Sequence, residues 1–432
     1  MKKGARASLL AIVIVIGAAT GLGILRYGGV RGVIRRAQAH VRVLRPHDLL
    51  VPTPLPTTML AETAMSTSPT VVRVAPSDTP EPSSTEPSFA LGLPTVSITP
   101  TRMPVPLTPT PSYKPSASAV ALTGIRHAWQ TWNNCAPATL AMYLSYYGET
   151  LDQHQIGDVL RPNKEDKHVS AAELARYARG QGYEVLVRYN GSAERLQLLL
   201  SNDVPVMIAS WEEPSPGDGM GHYRLVTGYD DGTGEWILYD SLSHTVDDPS
   251  ALYTGIRMSY ETLDDLWSVY HRLHIIVYPE PLSPMVEAIM GRDLDPSFAA
   301  ARGVDAARQA LLDEPERAYN WFNLGTALVQ VGAYQEASEA YDQARHLGLP
   351  WRMLWYQFGP FETYYHVGRY DEVVALADAT LRTTQHVEEL HYWKALALAE
   401  QGHFRDATRL LERALALRPD FPEAHEALDG LR

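Results

Sequence analysis

The sequence predicts an α+β domain built on an antiparallel sheet, followed by an all-α solenoid of helix pairs, with a transmembrane helix at the N-terminus. Three observations predict this. Between residues 121 and 280, helical and strand-like segments alternate and include a clear β-hairpin. Between residues 290 and 432, a helical pattern recurs at a fixed spacing. Near the start, Lys2, Lys3 and Arg6 precede an uncharged run from Ser8 to Leu25, long enough to cross a bilayer core as a helix.

The chain has 432 residues, 45% hydrophobic and 20% charged, which bounds it to two or three folded units. A net charge of −13 argues against a general nucleic-acid binder. A single cysteine, Cys135, rules out an intramolecular disulfide framework and a zinc site made of several cysteines. No lipoprotein cysteine follows the apolar run, which we read as an uncleaved anchor. Its alternative is a signal peptide cut near Ala18-Ala19, giving a secreted protein.

Residues 1–50 are thus assigned to the anchor and a basic juxtamembrane segment. The arginines at 26, 31, 35, 36, 42 and 45 favour a cytoplasmic C-terminal side. Residues 51–120 point the other way. They hold 15 of the 31 prolines, 13 threonines and 10 serines, too little apolar surface to offset chain entropy. We expect an extended, disordered stalk holding the folded domains outside the cytoplasm at the cell membrane.

In the middle domain, 121–280, Leu140, Tyr143, Leu144 and Tyr147 recur at helical spacing, with Pro137 suited to a first turn and Gly148 to a stop. Cys135 therefore falls at or just before a helix N-terminus, where the dipole and free N–H groups stabilise a thiolate. Taken alone, a lone cysteine is more often small buried packing. Ser170 and Glu173 form a capping box for a helix to about Arg179. A strand over 183–189, a helix over 192–201 and an apolar strand over 204–211 follow, then a loop over 212–221.

Two further strands, 221–229 and 235–240, flank the turn cluster Asp230-Asp231-Gly232-Thr233-Gly234. A hairpin centred near Asp231 makes His222 and Asp240 direct cross-strand neighbours. One centred on Gly232 makes them diagonal neighbours, still within reach. Cysteine proteolysis needs such a pair, an imidazole to move the proton and a carboxylate to orient it. A plain surface His–Asp pair is the bland alternative. His154, His168, His271 and His274 show no metal-ligand spacing, His244 reads as a solvated loop residue with cleft-lining as its alternative, and the Asp230-Asp231 and Asp247-Asp248 pairs read as turn chemistry.

The middle domain resembles the bacteriocin-leader-processing branch of the papain-like cysteine peptidases. The residues that carry the resemblance are Gln130, Asn133-Asn134-Cys135-Ala136-Pro137-Ala138, Met142, Tyr146-Tyr147-Gly148, Gly221-His222-Tyr223, Thr227-Gly228-Tyr229, Ile237 and Tyr239-Asp240. The resemblance implies a papain-like fold and a Cys135–His222–Asp240 triad, with Gln130 donating to the oxyanion. The sequence departs from the family in having Ala136 where glycine is usual, and in placing Gln130 five residues before Cys135 rather than six. The family's peptide-exporter setting does not carry over, since no ATP-binding segment is present.

In the third region, 290–432, Gly332-Ala333-Tyr334, Gly368-Arg369-Tyr370 and Gly402-His403-Phe404 align at offsets of 36 and 34 residues. With Trp321, Leu324, Gly325, Tyr341, Ala344, Ala395, Leu411, Ala414 and Pro419 at matching positions, they resemble tetratricopeptide repeats. Flanking helices are expected near 298–312 and 421–430. The middle copy is degenerate: Phe361 replaces a small residue, and Gly359-Pro360 is expected to break or kink its first helix.

The expected function is a membrane-anchored thiol peptidase that takes a peptide or protein substrate and needs no cofactor or metal. The repeats would bind a protein partner on their concave face or pack passively against the peptidase. Two alternatives stay open: an inactive peptide-binding module of the same fold, or a thiol acyltransferase or amidase.

Overall fold

Among the described residues, seven strands form one antiparallel sheet with an apolar core packed on each of its two faces. The computed structural model describes residues 51–54, 113–213, 219–242 and 253–432, which lie in one compact unit. The strands are β1 (Ala119–Ala121), β2 (Glu184–Arg188), β3 (Val206–Glu212), β4 (Met220–Asp230), β5 (Glu235–Tyr239), β6 (Ile256–Ser259) and β7 (His274–Tyr278). Their order is β2-β7-β3-β4-β5-β6, with β1 added to β4. Alternation sorts the core. Met207, Ala209, Ile275 and Val277 pack on one side, Val206, Ile208 and Ile276 on the other.

Helices α1 (Cys135–Tyr146), α2 (Gln153–Leu160) and α3 (Ala171–Gly180) contribute to the first side, and α4 (Ala193–Ser201) and α6 (Ser283–Met290) to the second. Helix α5 (Tyr260–Ser268) links β6 to β7. The Ser170–Glu173 capping box forms as expected, with Ser170 N–H donating to Glu173 at 2.8 Å and Glu173 N–H to Ser170 Oγ at 3.2 Å. In the β4–β5 turn, Gly232 N–H donates to Asp230 Oδ1 at 2.9 Å. The elements between Ile256 and Met290 had no clear sequence signal: β7 is buried along its whole length and so carries no alternation, and β6 is only 4 residues long.

A helical, tetratricopeptide-like region follows: α7 (Pro296–Asp313), α8 (Ala318–Gln330), α9 (Tyr334–Leu347), α10 (Gly359–His366), α11 (Tyr370–Leu381), α12 (Glu388–Glu400), α13 (Phe404–Leu417) and α14 (Pro422–Gly430). The three aligned glycines, 332, 368 and 402, turn each helix pair at φ of 73°, 76° and 79°. The expected break in the middle copy takes a particular form. Pro360 does not kink a longer helix; it sits in the first turn of α10, which is only 8 residues long. The displaced chain forms a 3-10 turn over Trp351–Trp355 instead.

Both ends of the stretch 51–120, expected to be extended throughout, are held by the folded unit. Val51 is buried and its N–H donates to the Leu349 carbonyl at 2.8 Å, and β1 pairs with β4 from Ala119. The expected transmembrane run, Ser8 to Leu25, lies outside the described residues, as do His244 and Asp247-Asp248. Among the described residues, no helix is long and apolar enough to cross a membrane.

Within the repeats, Arg345 and Glu372 form an ion pair at 2.7 Å with side chains 2% and 1% exposed. Breaking one partner of a desolvated pair leaves a buried charge. Arg345→Ala is therefore expected to lose about 3–5 kcal/mol of stability. Urea unfolding checks it, and a loss below about 1 kcal/mol would show that water reaches this pair.

Candidate active site

Cys135 is the first residue of α1, as its surroundings in the sequence predict. What holds it there is a polar network behind the turn. Asn134, at the N-cap, makes no side-chain cap bond. Its Nδ2 donates to the Gln153 carbonyl and side chain at 3.1 Å, and its Oδ1 accepts from Arg161 at 2.6 Å. Gln153 also binds Thr131 N–H at 2.8 Å and the Trp129 carbonyl at 2.7 Å. The packing is close: a methyl group on Gly157 would lie 2.9 Å from Asn134 Oδ1. Asn133 completes the turn at φ 57°, a left-handed conformation that asparagine tolerates.

The hairpin supplies the other two groups. Near the site, Leu225 pairs with Tyr239 and Val226 with Leu238, and a bulge between Val226 and Gly228 shifts the register toward the turn. This corrects the direct-neighbour reading. The pairing continued by one residue sets Arg224 opposite Asp240, and His222 is the diagonal neighbour. His222 Nε2 still meets Asp240 Oδ1 at 3.0 Å, both side chains almost fully buried. Asp240 Oδ1 also accepts Leu242 N–H at 2.7 Å, and Oδ2 accepts Arg224 Nε at 2.9 Å. Arg224 continues the chain of contacts to Ser210 and Glu212.

The charges are mutually supporting. Burial opposes the imidazolium of His222, but the Asp240 carboxylate and the Cys135 sulfur favour it and push its pKa up to about 10. Burial also opposes the Cys135 thiolate. The hydrogen bond and charge of His222, the Tyr223 backbone and Arg161 outweigh it and lower the thiol pKa. Burial opposes Asp240 ionisation as well, yet His222 and Arg224 hold its carboxyl below the usual range. Since Nε2 faces Asp240, Nδ1 is the ring nitrogen left for Cys135.

Gln130 is placed differently from these three. Its backbone N–H donates to the Ser241 carbonyl at 2.9 Å, and its side-chain oxygen accepts from Ser241 Oγ at 2.8 Å. That anchors the carbonyl end of the amide and leaves its NH₂ end to donate elsewhere. Sequence reasoning missed Arg224, Arg161 and Gln153. An arginine two residues after the histidine, on the same face of a predicted strand, was the available signal for the first.

Cys135, Asn133 and His222 open into a cavity of about 610 Å³, a size typical of ligand sites. The repeats form part of its wall through Val329, Tyr341, Tyr356, Phe358 and Glu362. Tyr356 and Tyr270 close on the residue before His222. A methyl group on Gly221 would lie 2.3 Å from Tyr270 Oη and 3.1 Å from Tyr356 Cγ. Beside the cavity, His168, Glu173 and Glu389 bring donor atoms within 4.8 Å of one another. Glu173 is already engaged by Ser170 and by Arg418, the latter at 3.2 Å, so this cluster serves as a polar contact between sheet domain and repeats.

Residues 123–272 match the model of the Peptidase_C39 like family, and residues 388–421 match that of the tetratricopeptide repeat. The chain thus carries a C39-like peptidase domain and tetratricopeptide repeats. Similar solved structures are of both kinds. The peptidase domain of Streptococcus ComA, a bi-functional ABC transporter involved in quorum sensing, is 21% identical at a TM-score of 0.28, covering 37% of this chain and 100% of that one. A double glycine motif protease from an AMS/PCAT transporter, in complex with the leader peptide, is 17% identical at 0.27, covering 37% and 94%. MamA from Desulfovibrio magneticus RS-1 is 16% identical at 0.29, covering 35% and 82%. No curated protein matches the chain.

The contribution of Asp240 to His222 can be read directly. In Asp240→Asn the carboxylate that supports the imidazolium is gone while burial remains. The His222 pKa is expected to fall from about 10 to below its ordinary 6.5 or so, as followed by NMR titration of the ring. A pKa that stays near its starting value would mean that another group carries the charge balance.

Proposed function

We propose that this protein is a membrane-anchored, papain-like thiol peptidase, with Cys135 as nucleophile, His222 as proton carrier and Asp240 as the group that orients His222. The observation that carries this reading is the continuous chain Cys135–His222–Asp240 at the head of a 610 Å³ cavity. The C39-like match over residues 123–272 supports it.

In this reading the thiolate attacks the scissile carbonyl carbon, and a C–S bond forms as the carbonyl becomes an oxyanion. In this reading the first N–H groups of α1, which have no intrahelical partner, and the NH₂ end of Gln130 donate to it. The C–N bond then breaks, and His222 gives its proton to the leaving amine. Water attacks the thioester with His222 taking its proton, the acid product leaves, and the thiolate–imidazolium pair is restored. The tetratricopeptide repeats support a role in holding protein partners.

The test uses the full-length protein, in which Cys135 is the only thiol. Its alkylation by iodoacetamide is expected to stay fast well below pH 8, because the thiol pKa is lowered, and to shift to higher pH in His222→Ala. The pH profile of kcat/KM on a cleaved peptide should fall on the acid side as Cys135 takes up a proton. On the alkaline side it should fall near pH 10, as His222 loses the proton it must donate. Labelling only above about pH 8.5, regardless of His222, would sink the peptidase reading and favour a peptide-binding module.

The run Ser8–Leu25 and the Pro/Thr/Ser-rich stretch support an anchored protein whose folded domains stand outside the cytoplasm at the cell membrane. Added protease should then digest residues 121–432 in intact cells stripped of any outer wall. Digestion only after lysis would reverse this orientation.

A further inference from the structure

The cavity at Cys135 has an unbalanced inventory of polar groups. Lys167, Arg179 and Arg188 line it, and none of them makes an ion pair with a carboxylate among the described residues. Arg179 and Arg188 donate only to backbone carbonyls, such as Val185 and Leu294 at 2.8 Å. Lys167 lies over the rings of Trp132 and Trp355, each at 5.7 Å, with a long contact to the Glu165 carbonyl. Two neutral donors join them. Asn133 Nδ2 and Tyr270 Oη are buried and have no hydrogen-bond partner, and Tyr270 is only 6% exposed.

Against these donors, the described wall holds one carboxylate, Glu362 of α10, which Tyr334 Oη already engages at 3.2 Å. Arg188 spends its guanidinium on the Asp293, Val187 and Leu294 carbonyls, which leaves Lys167, Arg179 and two orphan donors in one pocket of a chain whose net charge is −13. Buried donors without acceptors are costly, so a ligand rich in acceptors and negative charge is what relieves them.

We propose that the sheet domain and the repeats together form one compound substrate site that selects acidic peptide segments. This rests on reading Cys135 as the reactive centre. The repeats supply the wall opposite α3 through α8, α10 and the chain between Trp351 and Phe358. Tyr356 seats that chain against Gly221, beside His222. The volume of about 610 Å³ admits a short extended segment rather than a folded loop. The repeats therefore act within the same chain as part of substrate recognition.

The test is protection of Cys135 from iodoacetamide by two blocked hexapeptides, identical except that two glutamates in one are lysines in the other. The full-length protein is used at about 0.01 M ionic strength, where screening lengths are roughly 30 Å. The glutamate peptide is expected to protect at least tenfold more tightly, and the preference should shrink as salt is added.

Gln330 is an exposed residue of the repeat wall, so its charge variants should fold. Gln330→Lys is expected to widen the preference at least threefold, and Gln330→Glu to narrow it to a similar degree. Equal protection by both peptides, or none by either, overturns the proposal. A preference that Gln330 variants do not move removes the repeats from the site. If the glutamate peptide protects selectively while the thiol labels only near pH 8.5, this proposal stands and the peptidase reading falls.

Discussion

A fully buried carboxylate, Asp240, organises everything around the candidate site. An unpaired charge in that position would be strongly destabilising, so each of its oxygens must be matched. His222 and the Leu242 N–H share one oxygen, and Arg224 takes the other. This demand explains the details of the hairpin. Arg224 occupies the facing position and neutralises the carboxylate, and His222 sits on the diagonal, where its other ring nitrogen is left for Cys135. A direct His–Asp pairing would have no such place for Arg224.

The Cys135 side follows the same logic with two amides and a guanidinium. Asn134, Gln153 and Arg161 saturate one another behind the turn, so the start of α1 is held without a conventional cap. Cys135 is thereby placed at a helix N-terminus, where its thiolate is supported by the dipole, by His222 and at longer range by Arg161. Preorganisation of this kind lowers the pKa of the thiol despite its burial.

The irregular middle repeat is explained by the cavity. A standard helix pair would have carried its first helix back past residue 359. The chain instead leaves the solenoid between Trp351 and Phe358 and turns Tyr356 onto Gly221. Helix α10 then restarts at Gly359, where a methyl group would lie 2.0 Å from Tyr341 Oη. Phe361, which breaks the small-residue pattern, is fully buried, so the pair repacks around a larger side chain. The departures from the repeat consensus thus fall where the repeats meet the sheet domain.

The sequence alone determined the elements with strong local signals: the helix behind Cys135, the capping box at Ser170, the β4–β5 hairpin and the glycine-turned helix pairs. It also brought His222 and Asp240 together, because hairpin pairing is a local property. It left the register open between two choices, and the folded hairpin, which carries a bulge between Val226 and Gly228, takes the diagonal one. Tertiary structure alone decided which groups complete the site. Arg161 and Gln153 reach Cys135's turn from a second helix, and Tyr356 comes from 221 residues after Cys135. The last strand of the sheet was illegible for a related reason: β7, buried along its whole length, carries no alternation. Periodicity records which side of an element faces water, whereas a compound cavity depends on contacts between elements far apart in the chain, and no local pattern encodes those.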